Sequence, residues 1–253
     1  MVQSVMVSPR ILVVIPARLQ STRLPGKVLA DIHGHPMLWH VYHRVKMAQL
    51  PLEVLVATDS EEVAKQVDSW GARAIMTSPD CSCGTDRIAS IVDQLDAEII
   101  INVQGDEPLI DPDLVDELGR RAIESGSDMV TPVVKITDTE ILMSPNTVKV
   151  VIRPDGSALY FSRCPVPFFR DSEPAGWVEK TDYWLQVGTY AFTKGVLQEY
   201  RQWSESALEK AEKVEQIRFL EAGKTIQTFE TKAQTIAVDT PEDLAEVRKI
   251  MAG

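Results

Sequence analysis

The sequence predicts an α/β fold, a mostly parallel sheet with helices on both faces and a smaller mixed or antiparallel excursion. Apolar runs alternate with amphipathic segments through the first half of the chain, the rhythm of βαβ units. The first runs are apolar at nearly every position, as parallel strands covered on both faces require. At 253 residues, 44% hydrophobic and 25% charged, the chain can bury a substantial core. Residues 1–253 read as a single domain, without internal repeat, low-complexity tract or linker.

Strands are expected at Ile11–Ile15, Val54–Ala57, Ile99–Val103, Met129–Val134, Val148–Ile152, Leu185–Phe192 and Ile236–Val238. Amphipathic spacing places helices at Pro36–Met47, Glu61–Trp70, Thr85–Leu95 and Pro112–Ser125. Pro165–Tyr183, rich in Pro, aromatic and charged residues, reads as an excursion from the sheet within a 145–200 sub-region. Ser206-Ala-Leu-Glu209 matches a capping box and Gly223 a stop, with Leu208, Val214, Ile217 and Leu220 as the core stripe of one helix. On spacing alone, Glu212, Glu215, Gln216 and Arg218 of that helix read as a solvated charged face. Near the end of the sequence, Thr240 is a good N-cap and Pro241 suits the first helical position.

The net charge of −11 argues against non-specific nucleic-acid binding, which rests on neutralising phosphates. No apolar run approaches the roughly 18 residues needed to span a bilayer. Ile11–Ala17 stops at Arg18 and lacks a signal-peptide layout. Three cysteines, an odd number, make no disulfide framework. These features predict a soluble cytoplasmic protein with no membrane or nucleic-acid partner.

Against that acidic background the first 30 residues hold four cations and no acid. Arg18, Arg23 and Lys27 lie on one loop, P-A-R-L-Q-S-T-R-L-P-G-K (16–27), directly after the first strand. Guanidinium groups grip phosphate bidentately and a lysine adds a point charge, so the loop suits a polyanion. The Walker spacing and G-x-G-x-x-G are both missing here, so side chains rather than a glycine nest must hold the phosphates. Ligands of open α/β sheets bind beyond the carboxyl ends of strands. There, N-V-Q-G-D-E-P (102–108) turns at Gly105 and Pro108 and presents Gln104 and Asp106, while Asp239 follows the last apolar run. Two carboxylates opposite a basic loop suit Mg²⁺, which takes one or two carboxylates plus substrate phosphates. His33, His35, His40 and His43 cluster in eleven residues, and Cys81 and Cys83 could join a zinc site, but the spacing fits no zinc-ligand pattern. No histidine lies elsewhere to act as a general base.

Taken in order, the motifs resemble the 3-deoxy-manno-octulosonate (Kdo) cytidylyltransferases over almost the whole chain. The matching stretches are V-V-I-P-A-R-L-Q-S-T-R-L-P-G-K (13–27), G-H-P-M-L-W-H-V (34–41), V-A-T-D (56–59) and C-G-T-D-R (83–87). N-V-Q-G-D-E-P-L-I (102–110), A-L-Y-F-S-R-C-P-V-P (158–167), V-E-Q-I-R (214–218) and V-D-T-P-E-D-L (238–244) complete the set. The resemblance implies a Rossmann-like nucleotidyltransferase sheet and Mg²⁺-dependent transfer of CMP from CTP to the anomeric hydroxyl of an eight-carbon sugar acid. Pyrophosphate would leave, and the product would feed lipopolysaccharide or capsule synthesis. It implies that Arg18, Ser21, Arg23 and Lys27 hold the triphosphate, and that Ala17, Cys83, Gly84, Arg87 and Gln104 frame the nucleoside. Asp106 and Asp239 would bind the metal. Gln104, Arg163, Gln186, Tyr190, Glu215 and Gln216 would contact the sugar, Arg163 facing its carboxylate. A homodimer formed through residues 158–180 is also implied.

Three departures stand out. Cys83 replaces a usual Ser, Gln186 a usual His, and Phe192 a common Tyr. The latter two fall on the sugar side, which leaves an amino-substituted octulosonate or a sialic-acid-like acid as alternative acceptors. A non-catalytic CTP sensor on the same fold is the remaining alternative.

Overall fold

In the computed structural model, residues 9–21, 23–51, 53–233 and 236–252 are described. Their strands are β1 Ile11–Ala17, β2 Asp31–Ile32, β3 His35–Pro36, β4 Glu53–Thr58, β5 Arg73–Met76, β6 Ile99–Asn102, β7 Met129–Ile136, β8 Lys149–Ile152, β9 Ala158–Ser162, β10 Tyr183–Gln186, β11 Tyr190–Thr193 and β12 Ile226–Glu230. The helices are α1 Met37–Val45, α2 Glu61–Ser69, α3 Gly84–Ser90, α4 Pro112–Ser125, α5 Thr139–Met143, α6 Lys194–Tyr200, α7 Ala207–Glu212, α8 Gln216–Glu221 and α9 Pro241–Ala252.

One large sheet runs in the order β5-β4-β1-β6-β11-β7-β10-β8-β9, with β12 beside β7, and β2 pairs with β3 separately. β5, β4, β1 and β6 are mutually parallel. β11 lies antiparallel to β6 and β7, and β10 antiparallel to β7 and β8. Every residue of the central strand β1 is buried. Alternate side chains point to opposite faces: Ile11, Val13 and Ile15 join a core with α1, α2 and α4, while Leu12 and Val14 join a second with α3 and α6. Helices therefore cover both faces, as expected.

Several elements differ from the sequence reading. The run Leu185–Phe192 is not one strand: Val187–Thr189 interrupts it, Val187 donating to Pro132 O at 3.1 Å and Thr189 Oγ1 to Glu107 at 3.1 Å. Ile236–Val238 is apolar but forms no strand. Val238 donates one backbone hydrogen bond, to Asp106 O at 2.9 Å, and its side chain packs against Ile32, Met37, Leu244 and Val247. β2, β3, β5, β9 and β12 were not expected, being strands of two to five residues, none of them buried throughout. The helix expected from Ser206 to Gly223 keeps its capping box but breaks at Lys213 into α7 and α8. Thr85–Leu95 ends early as α3, and a turn of 3-10 helix follows at Val92–Gln94.

Gly105 lies where β1 and β6 end. A Cβ there would meet Pro16 O at 2.9 Å, a backbone atom of the central strand that cannot easily yield. Gly105→Ala is expected to cost about 1–3 kcal/mol in thermal unfolding. An unchanged melting temperature would show that this turn is looser than the contact implies.

Candidate active site

A cavity of about 670 Å³ opens beyond the carboxyl ends of β1 and β6. Pro16, Ala17, Arg18 and Lys27 form one wall, Gln104–Glu107 the floor, and Cys81–Gly84 with Arg87 a second wall. Gln186, Gly188, Tyr190 and Lys213–Gln216 form the third, and Asp239 lies at the end beside Lys27.

The Lys27 ammonium sits between two carboxylates. It donates to Asp106 Oδ2, to Asp239 Oδ1 at 3.0 Å and to Val238 O at 3.2 Å. Burial alone would depress its pKa, but Asp106 and then Asp239 outweigh it and hold the group above its usual range. Two carboxylates that already converge on one cation fit a magnesium site completed by phosphate and water oxygens. Arg23 pairs with Asp239 Oδ2 at 2.9 Å from the exposed side, and does not line the cavity. Ser21 lies outside it too, in a shallow hollow with Gln20 and Gly26. Arg18 lines both.

On the second wall Cys83 caps α3, its sulfur accepting from Asp86 N at 3.4 Å. Burial, with the Glu215 and Asp86 charges next, pushes its thiol well up, so it stays protonated. A Cβ on Gly84 would come within 3.2 Å of Pro16 and 3.3 Å of Gln104, so this wall approaches the strand ends closely. Arg87 is buried with its guanidinium on Asp59 at 2.9 Å and on the Thr77 hydroxyl, so it braces the wall from behind.

The third wall overturns the solvated-face reading of residues 212–218. Gln216 and Arg218 are buried, and Glu212 accepts from Ser162 Oγ at 2.6 Å and from Arg163 N at 2.8 Å. The break at Lys213 turns the chain so that Glu215 and Gln216 face inward. Glu215 accepts from Thr85 Oγ1 at 2.9 Å, and burial raises its carboxyl pKa. Arg163 lines the cavity, and its guanidinium donates to the carbonyls of Glu212 (2.6 Å), Pro145 (2.9 Å), Asn146 (3.4 Å) and Lys213 (3.1 Å).

Glu215 Oε2, Gln216 Nε2, Gln186 Nε2 and both side-chain polar atoms of Asn102 are buried without a partner among the described residues. Such atoms are uncommon in folded proteins. Three of these four residues line the cavity, and Asn102 Nδ2 is 3.6 Å from where a Cβ on Gly84 would sit. A polar ligand would satisfy them. The histidines do not join the site: His35 and His43 each lie 3.9 Å from the Trp39 ring, His33 bonds Arg248 O, and His40 bonds Ile32 O. No group of three or more His, Cys, Asp or Glu able to hold a metal occurs among the described residues.

Sequence reasoning missed Glu107, Thr85, Glu209 and Lys213. Glu107 was legible as an acid beside Asp106, but its burial was not. Burial, then the Asp106 charge, pushes its carboxyl up to about 8 despite a hydrogen bond from Thr189. A carboxyl raised on folding stabilises fully below its unfolded pKa, near 4.5, and that contribution is lost as pH rises through about 8. Glu107→Gln is therefore expected to flatten the decline in melting temperature between pH 5 and 9. Parallel curves for the two proteins would show that Glu107 is ionised throughout.

The family described as Cytidylyltransferase matches residues 12–226. A 3-deoxy-manno-octulosonate cytidylyltransferase of Geobacter sulfurreducens is 46% identical over 244 residues, 92% of this chain and 96% of the relative. One from Geotalea uraniireducens is 46% identical over 244 residues, 94% of this chain and 97% of the relative. Among solved structures, CMP:2-keto-3-deoxy-manno-octonic acid synthetase complexed with CTP superposes with a TM-score of 0.89 at 43% identity, covering 96% of this chain and 98% of that one.

Proposed function

The chain belongs to the 3-deoxy-manno-octulosonate cytidylyltransferase family, and on that premise we propose that it transfers CMP from CTP to the anomeric hydroxyl of Kdo. The anomeric hydroxyl gives up its proton to solvent as its oxygen attacks the α-phosphorus, the bond from that phosphorus to the oxygen bridging to the β-phosphate breaks, and pyrophosphate leaves with that oxygen and its electron pair. Such transfers depend on positioning and charge neutralisation rather than covalent protein chemistry. The observation that carries the reading is the Lys27 cation held between Asp106 and Asp239, in one cavity with Arg18, which has no ion pair among the described residues, and with the unpartnered polar groups of Glu215, Gln216 and Gln186.

Arg18 and Lys27 meet the triphosphate and stabilise the departing pyrophosphate. Cys83, Gly84 and Gln104 bound the nucleoside end, with Arg87 bracing them. Asp106 and Asp239 would hold Mg²⁺, which when bound neutralises phosphate charge and lowers the pKa of a coordinated hydroxyl. Gln186, Tyr190, Glu215 and Gln216 receive the sugar. Gln186 is uncharged, so sugar hydroxyls meet an amide there.

Pyrophosphate release from CTP with Mg²⁺ tests this, using Kdo, its amino analogue, a nine-carbon sialic acid and no acceptor. Turnover with Kdo is expected. Turnover with another acid alone would move the acceptor, and CTP binding without turnover across the panel would favour a sensor. Use of CTP supports a cytoplasmic step as part of this reading. Among the described residues no helix is long and apolar enough to cross a membrane.

The proposed homodimer is supported by exposed apolar groups on the expected stretch, Phe168 at 73% and Leu159 at 51%. Light scattering is expected to give a dimer mass for the wild type and a monomer mass for Phe168→Asp. A monomeric wild type would remove this assembly.

A further inference from the structure

Of the residues with unpartnered buried polar atoms, Gln186, Glu215 and Gln216 line the cavity, where a ligand would meet them. Asn102 is different. Both ends of its carboxamide lack a partner among the described residues, it is fully buried, and it lies behind the cavity wall rather than on it. A buried polar group without a hydrogen bond costs stability, and an apolar side chain of the same shape would not. An asparagine in that position has its polar atoms to account for.

Asn102 closes β6, between Val14 of β1 and Tyr190 of β11. Strand alternation puts it on the same face as Ile100, which packs into the core shared with α3. That helix begins at Gly84. The place a Cβ would take on Gly84 is 3.6 Å from Asn102 Nδ2 and 3.3 Å from Gln104 Oε1, so both carboxamides border the position a side chain there would fill. Gln104 lines the cavity and is loosely held. Its Nε2 donates at 3.4 Å to Gly188 O, and its Oε1 accepts no hydrogen bond among the described residues. A donor without an acceptor therefore lies near an acceptor without a donor, on the wall assigned to the nucleoside.

We propose that Asn102 is a positioning residue for the nucleotide: when CTP settles against Gly84 and Gln104, Asn102 Nδ2 donates to Gln104 Oε1 and turns Gln104 Nε2 toward the nucleoside. The carboxamide is left unsatisfied in the free protein and is satisfied in the complex, so relief of its burial adds to CTP affinity. This rests on the cytidylyltransferase reading above.

Asn102→Leu, Gln104→Ala and the double variant, in the full chain, would be compared with wild type by pyrophosphate release and by thermal melts with and without CTP. Without CTP, Asn102→Leu is expected to melt a few degrees above wild type, because two unpartnered polar atoms leave the core. Its CTP KM is expected to rise roughly 10- to 100-fold, the range for relief of a buried unsatisfied group, and the rise in melting temperature on adding CTP should shrink with it. Gln104→Ala should raise the CTP KM at least as far. The double variant should match Gln104→Ala within about twofold, since Asn102 acts through Gln104. Additive losses in the double variant, or a CTP KM for Asn102→Leu within twofold of wild type, would overturn the assignment. So would a lower melting temperature for ligand-free Asn102→Leu, which would show the carboxamide already satisfied before CTP arrives. A wild type that binds CTP but uses no sugar acid would overturn the reaction, and the melts with CTP would still decide the part Asn102 plays in binding.

Discussion

Asp106→Asn is expected to reduce kcat by about a thousandfold at saturating CTP and magnesium, the scale for losing one preorganised electrostatic group at a reacting centre. The substitution keeps shape and removes charge. Asp106 is half of the pair that grips the Lys27 ammonium, so the variant leaves Asp239 to hold that cation alone. Pyrophosphate release measures the effect, with a thermal melt as control, and the melt should move only a few degrees because Asp106 is partly solvated. Activity within tenfold of wild type would remove Asp106 from the reacting centre.

Arg218→Met is expected to be the most destabilising single change, at about 3–5 kcal/mol, roughly 10 °C in melting temperature for a domain of this size. Arg218 donates twice to Glu209, at 2.6 and 2.7 Å, with side chains only 8% and 6% exposed, and its guanidinium lies 4.5 Å from the centre of the Tyr200 ring. Methionine would leave a buried carboxylate unpaired. Adding Glu209→Leu should recover much of the loss, since a buried pair replaced by apolar groups is often near neutral. A double variant no more stable than the single would show that the pair itself, rather than the stranded acid, carries the stability.

The parallel half of the fold was legible because burial on both faces leaves an unmistakable mark: β1 is apolar at every position that enters the two cores. Half-exposed strands leave none, which hid β5 and β12. Ile236–Val238 shows the reverse, an apolar run whose burial comes from α1 and α9 rather than from a ladder. The helix break at Lys213 was invisible because Leu208, Val214, Ile217 and Leu220 keep helical spacing across it, although Leu208 is 47% exposed.

Within the site, Arg18, Lys27, Asp106 and Asp239 were legible from their positions after apolar runs, and the cavity does gather them. What each cation is bonded to was not. Arg87 and Arg163 carry charge that suits a ligand, but their partners, Asp59 and a set of backbone carbonyls, come from segments that only the fold brings together.

The hydrogen bond from Lys27 to Asp239 joins positions 212 residues apart. During translation the first strand and its basic loop emerge early, yet the second of their counter-carboxylates, Asp239, is made only after every described strand of the sheet. At ordinary elongation rates that interval is roughly 10–40 s. A ribosome-bound nascent chain stalled before residue 239 would thus carry a basic loop facing an incomplete set of acids. On the proposed role of Asp239, a chain that stops before it is expected to release no pyrophosphate from CTP.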